Sequence, residues 1–345
     1  MKNYIKYGIL LMLSIFIFCG CQKEDSDQIA VELTNHITKD LDDNVKIDAD
    51  IIFPEDTQRE VDILEIEPAK LDTQKIVNEL YPTAVLFDQE RGIYKNGDSY
   101  INISNGNFFY DDKEQRIYSR FFTNQEELLS PKAVDIEGFD VDETLETAKQ
   151  YLGVIGFENI ELSEYYVLSK QYLEEQYTQA KMNKDWQKDV AEGREVFKDD
   201  WQDEKGAYVF VFSIVEHGLP IVQGMYITKD NEYIEGSSIT ICCSEDGIAF
   251  VEATNHYAVK SPSGKKKIAG TDVIIKGLEQ KFSNLIVEEP LVINEIHLAY
   301  QAQKQNGKLY LVPVWEVQYV QQCEGNIEKG IIYFDVENGR EIVTY

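Results

Sequence analysis

Between Val45 and Ile51 every second residue is apolar (Val45, Ile47, Ala49, Ile51), with Lys46, Asp48 and Asp50 between them, and Phe53-Pro54 ends the run. A period of two puts successive side chains on opposite faces, which predicts a half-buried strand. Val61 to Ile66 reads as a second strand. Asp72 stands where an N-cap would, before a short helix carrying Ile76, Val77 and Leu80 and stopped by Pro82. Beyond it come Asn96-Gly97, Asn105-Gly106, Asn306-Gly307 and Asn338-Gly339, with Asp246-Gly247 as a further signal of the same kind. Both central positions of a type I′ turn need positive φ, which these residues tolerate best, so hairpins are predicted at each. That favours antiparallel sheet over parallel βαβ winding.

Three helical patterns interrupt the strands. One starts near Asp142, carries Leu145, Ala148, Tyr151 and Leu152, and ends at Gly153 or Gly156. A very polar one runs from about Tyr166 to Val190 and leads into the acidic stretch 198–206. The third runs from about Thr271 to Phe282, with Val273, Ile274, Leu278 and Phe282 facing inward. Strands are expected at 208–214, in hairpins up to about Tyr257, and at 291–302, 308–320 and 330–337. Lys260 to Lys267, with Pro262 and Gly264 inside it, reads as a basic linker. The expected fold class is therefore α+β: two or three lobes of antiparallel sheet, each packed by one or two helices. The segments would be 44–128, 138–262 with a polar helical excursion, and 266–345. The order of a helix followed by strands recurs in 72–122, which suggests three related units.

The N-terminus gives an address. Lys2 and Lys6 precede an eleven-residue apolar run, Gly8 to Phe18, too short to cross a bilayer as a helix. Small residues then lead to Cys21. This resembles the lipobox of bacterial lipoproteins, with Phe18 where an aliphatic residue is usual. The resemblance implies that 1–20 is a signal peptide and that Cys21 is lipidated. Residues 21–43 would then form a tether to the extracytoplasmic face of the cell membrane. An ordinary secretory signal or an uncleaved anchor are the other readings of the same segment.

Composition narrows the partners. Hydrophobic residues make up 43% of the chain, which argues for folded cores. The 33 Lys and Arg face 62 Asp and Glu, a net charge of −29. Such a field repels nucleic acid and anionic headgroups and favours basic proteins, cationic peptides or divalent cations, unless it serves only solubility. Beyond Cys19 and Cys21 there are three cysteines, too few for a disulfide framework. Alternation in 238–243 places Cys243 inward with Ile239 and Ile241, and Cys242 with Ser238 and Thr240. A bridge from either to Cys323 is one reading and buried thiols the other, which the apolar setting favours.

No catalytic motif is found: no G-x-S-x-G, P-loop, G-x-G-x-x-G or H-E-x-x-H. His36, His217, His256 and His297 are scattered. His297 shares a strand face with Glu295, as Asp48 does with Asp50, and solvated faces account for both pairs. Asp140-Val141-Asp142 opens like a calcium loop, but Leu145 and Tyr151 occupy the positions that need Gly and Glu, so helix capping explains it better. Asp199, Asp200, Asp203 and Glu204 lack the spacing of a calcium site. No metal or other cofactor is expected. The aromatic rows Tyr208/Phe210/Phe212 and Trp315/Val317/Tyr319 read as sheet faces under helices. Trp186 and Trp201, in polar surroundings, are the candidates for a partner surface.

Pro313-Val314-Trp315-Glu316-Val317, followed by Tyr333-Phe334-Asp335 and Gly339, resembles the closing strands of PepSY-type modules. Gly218-Leu219-Pro220-Ile221 is similar to an earlier turn of those modules, and the YycH and YycI regulators have comparable units. Lys46 to Pro54 after a lipobox is similar to an uncharacterised lipoprotein family of Gram-positive anaerobes. The resemblance implies a binding or regulatory module with no catalytic residues to carry over. The expected function is noncatalytic binding of an extracytoplasmic protein or peptide. Capture of a small ligand or cation is the alternative, and a carboxylate-based hydrolase a third.

Overall fold

The alternating run at 45–52 forms the strand it predicts. In a computed structural model that describes residues 35–54, 59–123, 128–129, 133–194, 201–224, 226–227, 233–283, 285–323 and 326–343, Val45, Ile47, Ala49 and Ile51 are all buried. The first elements are β1 (His36–Asp42), β2 (Val45–Ile52), β3 (Glu60–Pro68) and α1 (Thr73–Leu80), whose first turn is capped by Asp72 accepting from Lys75 N at 3.0 Å. A meander follows: β4 (Val85–Asp88), β5 (Ile93–Asn96), β6 (Ser99–Ser104) and β7 (Asn107–Asp111). Then come α2 (Arg116–Phe121), α3 (Val141–Ile155), β8 (Ile160–Ser169), α4 (Lys170–Lys181) and α5 (Lys184–Ala191). The middle of the chain gives β9 (Gly206–Glu216), β10 (Leu219–Pro220), β11 (Tyr226–Ile227), β12 (Tyr233–Ile234), β13 (Ser238–Ser244), β14 (Gly247–Thr254) and β15 (Tyr257–Lys267). The chain continues with α6 (Thr271–Phe282), β16 (Leu291–Gln305), β17 (Lys308–Cys323), β18 (Asn326–Asp335) and β19 (Glu341–Ile342).

The α+β class is as expected, and the described residues fall within one compact unit, Leu33–Tyr345. They build two large sheets and a two-stranded ribbon, β11-β12. The first sheet runs β1-β2-β16-β17-β18-β19, with β3 joining β17 to β15. The second runs β10-β9-β13-β14-β7-β6-β5-β4, with β8 on the other side of β9. Strands from 44–128 are thus divided between both sheets, and those of 138–262 likewise, so sequence segments and sheets do not coincide. Pairing between named strands is antiparallel except at β2 and β16, which run parallel in register Ile47↔Ile293.

The main core lies between the sheets and takes Ala148, Leu152 and Ile155 from α3 and Ile274, Leu278 and Phe282 from α6. A second core covers the opposite face of the second sheet, where Tyr118 of α2 and Leu173 of α4 meet Val209, Cys242 and Phe250. β9 is therefore buried on both faces, which explains its unbroken apolar run. Cys243 joins the main core and Cys242 the second, so alternation holds although both faces are dry.

Three expectations need correction. Lys260–Lys267 is no linker: it is the greater part of β15, paired along β3 with bulges at Val259/Ser261 and Pro262/Gly264 that accommodate the proline and glycine. The tether expected to reach 43 ends earlier, since His36–Asp42 is β1, which hides only Ile37 and so shows little periodicity. The polar helix from Tyr166 to Val190 is a strand and two helices. Ser169 caps α4 through Tyr172 N, and Asn183 caps α5 through Asp185 N and Trp186 N. At Asn306-Gly307 both residues have positive φ, as a type I′ turn requires. At Asn96-Gly97 and Asn105-Gly106 only the glycine does.

Candidate functional site

The outward face of the first sheet gathers residues that the sequence left in separate pairs. With Val45, Ile47, Ala49 and Ile51 inward, β2 presents Lys46, Asp48 and Asp50 on its other side. His36 of β1 lies opposite Asp50 and contacts it, Nδ1 to Oδ1 at 2.8 Å, while its Nε2 reaches Asp48 Oδ1 at 3.1 Å. On β16 a bulge between Ile293 and Glu295 shifts the alternation, so Ile296 and Leu298 enter the core and Glu295 and His297 turn outward. Register then places Glu295 beside Asp50, and His297 beside Glu316 of β17. Glu316 in turn faces Tyr333 of β18. Four adjacent strands thus carry His36, Asp48, Asp50, Glu295, His297 and Glu316 on one face.

The groups differ in setting. His297 Nε2 and Glu295 Oε2 are 2.8 Å apart, and that hydrogen bond holds the Glu295 carboxyl below its usual range against the cost of burial. Glu316 is pushed the other way by burial, with Glu295 adding to the effect, although Gln318 Nε2 donates to it at 2.9 Å. Asp48 is lowered by Lys46, whose Nζ lies 2.6 Å away, and His36 is raised by its bond to Asp50. At the inner end Tyr333 packs with Val222, Ala299 and Val314, and its hydroxyl is buried against the Gly224 backbone. The strip grades from exposed His36 and Asp50 to a half-buried carboxylate next to a buried phenol. It is suited to hold a positively charged or hydrogen-bonding group.

The remaining candidates lie elsewhere. Trp186 and Trp201 do not form an open surface: Trp186 is 5% exposed, and both rings pack edge-on against Tyr177, at 5.3 and 5.5 Å. Polar neighbours along the chain concealed a small aromatic core under α4 and α5. Cys21, Asp199 and Asp200 lie outside the described residues. Glu204 is a structural acceptor, taking bonds from Tyr118 Oη at 2.6 Å and Gly206 N at 2.9 Å. Among the described residues no group of three His, Cys, Asp or Glu could hold a metal ion. Cys242 and Cys243 are buried thiols with no disulfide among the described residues. Asp140 caps α3 through Glu143 N at 2.9 Å, and His217-Gly218 makes the β9–β10 turn with positive φ at both positions. Tyr208, Phe210, Phe212 and Val317 are fully buried, and Trp315 nearly so. A pocket of about 460 Å³ opens beyond the end of α6, lined by Phe282, Leu285, Ile286, Tyr319 and Ile332 among others. No helix among the described residues is long and apolar enough to cross a membrane.

No family model and no curated protein matches the chain. Among solved structures, an uncharacterised protein from Eubacterium rectale superposes with a TM-score of 0.62 at 17% identity, covering 90% of this chain and 94% of that one. That likeness is one of fold. The Bacillus megaterium YpeB C-terminal domain aligns over 78% of this chain and 91% of its own, at 11% identity and a TM-score of 0.30, too low for any inference.

Proposed function

We propose that this protein is a noncatalytic binding and regulatory module, lipid-anchored at Cys21 on the extracytoplasmic face of the membrane, that takes a basic segment of a protein or peptide on the outward face of its first sheet. The observation behind the reading is the run of Asp48, Asp50, Glu295 and Glu316 across β2, β16 and β17 in a chain of net charge −29. Carboxylates on adjacent strands give a cationic partner several contacts, and the overall field speeds its approach. The succession of a helix and antiparallel strands in α6-β16-β17-β18 agrees with the PepSY resemblance, which supports a regulatory role.

The test uses residues 22–345 and a labelled oligolysine probe. Binding should weaken with salt and fall about tenfold or more in an Asp50→Asn/Glu295→Gln variant of unchanged melting temperature. Equal binding by that variant would remove the site from this face, and no binding would remove the cationic partner. A pull-down from crosslinked envelope extract then identifies the physiological partner. Cys21→Ala should move the protein from the membrane fraction to the soluble one. Glu295 and Glu316, shifted in opposite directions, also favour a carboxylate-based hydrolase as the second reading. That reading requires a turnover which Glu316→Gln abolishes.

A further inference from the structure

Sheet edges invite pairing with other chains, and most edges here are blunted. β1 carries His36, Lys39 and Asp40; β15 is bulged twice and holds Pro262 and three consecutive lysines; β8 carries Glu161 and Glu164; β10 and β19 are two residues long. β4 differs. It ends the second sheet, paired only to β5 among the described residues, and its Val85, Leu86 and Phe87 are 64%, 51% and 62% exposed. The apolar surface continues onto Tyr100 and Phe109, both also exposed.

The charges around this edge indicate what covers it. Lys95 Nζ lies over the rings of Phe87 and Tyr100, 4.0 and 5.3 Å from their centroids, and no carboxylate pairs with it among the described residues. Arg91 is mostly exposed and, among the described residues, is paired with Asp88 alone, at 3.8 Å. Two weakly satisfied cations in so acidic a chain call for an extended partner that is apolar and acidic, and Val85-Leu86-Phe87-Asp88 is itself such a strand. Val85 pairs with Lys95 and Asp88 with Ile93, so the bulge at Phe87 brings Val85, Asp88 and Lys95 onto one face. A two-fold axis between Leu86 and Phe87 would set Val85 opposite the second copy's Asp88, on the face where Lys95 waits. Because Arg91 and Lys95 balance Asp88 and Glu90, this is also a place where two copies of a −29 chain can meet without local repulsion.

We propose that β4 pairs antiparallel with β4 of a second copy of this chain, joining the two second sheets into one continuous sheet about a two-fold axis. The test is the solution mass of residues 22–345 by light scattering, from about 1 to 100 µM, where a small interface associates and dissociates measurably. The native chain should pass from monomer to dimer. Phe87→Lys, and independently Val85→Lys, should remain monomeric with unchanged circular dichroism. Lys95→Glu should raise the dimer dissociation constant about tenfold or more. A native chain that stays monomeric throughout would overturn the proposal, and so would one that stays monomeric but captures an added extended peptide. Lysine variants that dimerise as well as the native chain would also overturn it.

Discussion

Trp186 is the sole buried residue of α5, an eight-residue helix that would be marginal in isolation, so the helix is docked largely by one side chain. Burying a large apolar side chain stabilises by roughly 1.5–3 kcal/mol, and the edge-on contact with Tyr177 adds about 0.5–1.5 kcal/mol. Trp186→Ala removes both. In a core sealed on every side such a truncation costs about 3–5 kcal/mol of global stability. Here the loss is capped, because α5 can detach while the sheets stay closed. The expected result is local: α5 amides should exchange faster by roughly 30- to 1000-fold, the equivalent of about 2–4 kcal/mol. Amides of β9 and β13 should be unchanged, and binding of a basic probe at the first sheet should persist. Hydrogen exchange read by mass spectrometry on the native state and the variant measures this directly. Protection in α5 equal to that of the native chain would refute the docking argument, and equal loss in β9 would refute the claim that α5 opens alone.

Three further outcomes follow from buried groups. His256 is packed 4.9 Å from the Phe157 ring with no partner for its Nδ1 among the described residues, and burial lowers its pKa from 6.5. The unfolded chain therefore takes up that proton first: stability is full above about pH 6.5 and falls as the pH drops from there through the depressed folded-state value. The loss of urea resistance between pH 7.5 and 5 should be smaller in His256→Phe than in the native chain, and equal losses would contradict the assignment. Gly277→Ala would ordinarily strengthen a helix by about 0.5–1 kcal/mol, but here the added Cβ would collide with the Gly339 carbonyl oxygen and press on Phe334. The collision should win, with a net loss of about 1–3 kcal/mol in chemical denaturation. Burial raises the pKa of Cys242 and pushes that of Cys243 up to about 12, so neither should react with a thiol reagent until the chain unfolds. Rapid stoichiometric labelling of the native protein at these positions would contradict their place in the two cores.

Local chemistry made much of the fold legible. Alternation marked β2, caps marked α1 and α3, and apolar spacing marked α6 to the residue. What stayed hidden depends on partners distant in sequence. β15 looked like a linker because its lysines gain their meaning from Glu67 and Asp62 across the pair. β1 looked like a tether because charges and His36 occupy most of its positions, and those side chains face solvent. The candidate site was legible as fragments: Asp48 with Asp50, and Glu295 with His297, each on a polar face. The bulge at Ile293/Glu295 and the parallel register with β2 join them, and neither leaves a mark in a local window. Glu316 was noted only as part of an aromatic strand, and its burial beside Tyr333 follows from strand order alone.

The parallel pair of β2 and β16 also sets a clock. Ile47 and its partner Ile293 are 246 residues apart in the chain, so at a synthesis rate of about 5–20 residues per second the first strand waits on the order of 12–50 s for its neighbour to be made. Until then the β1-β2 hairpin presents an open edge with five core residues uncovered, Ile37, Val45, Ile47, Ala49 and Ile51, and the loop that must close spans well over half of the chain. The first sheet is thus completed last. Any truncation that removes the final 55 residues leaves the beginning of the chain, not its end, without a place to fold.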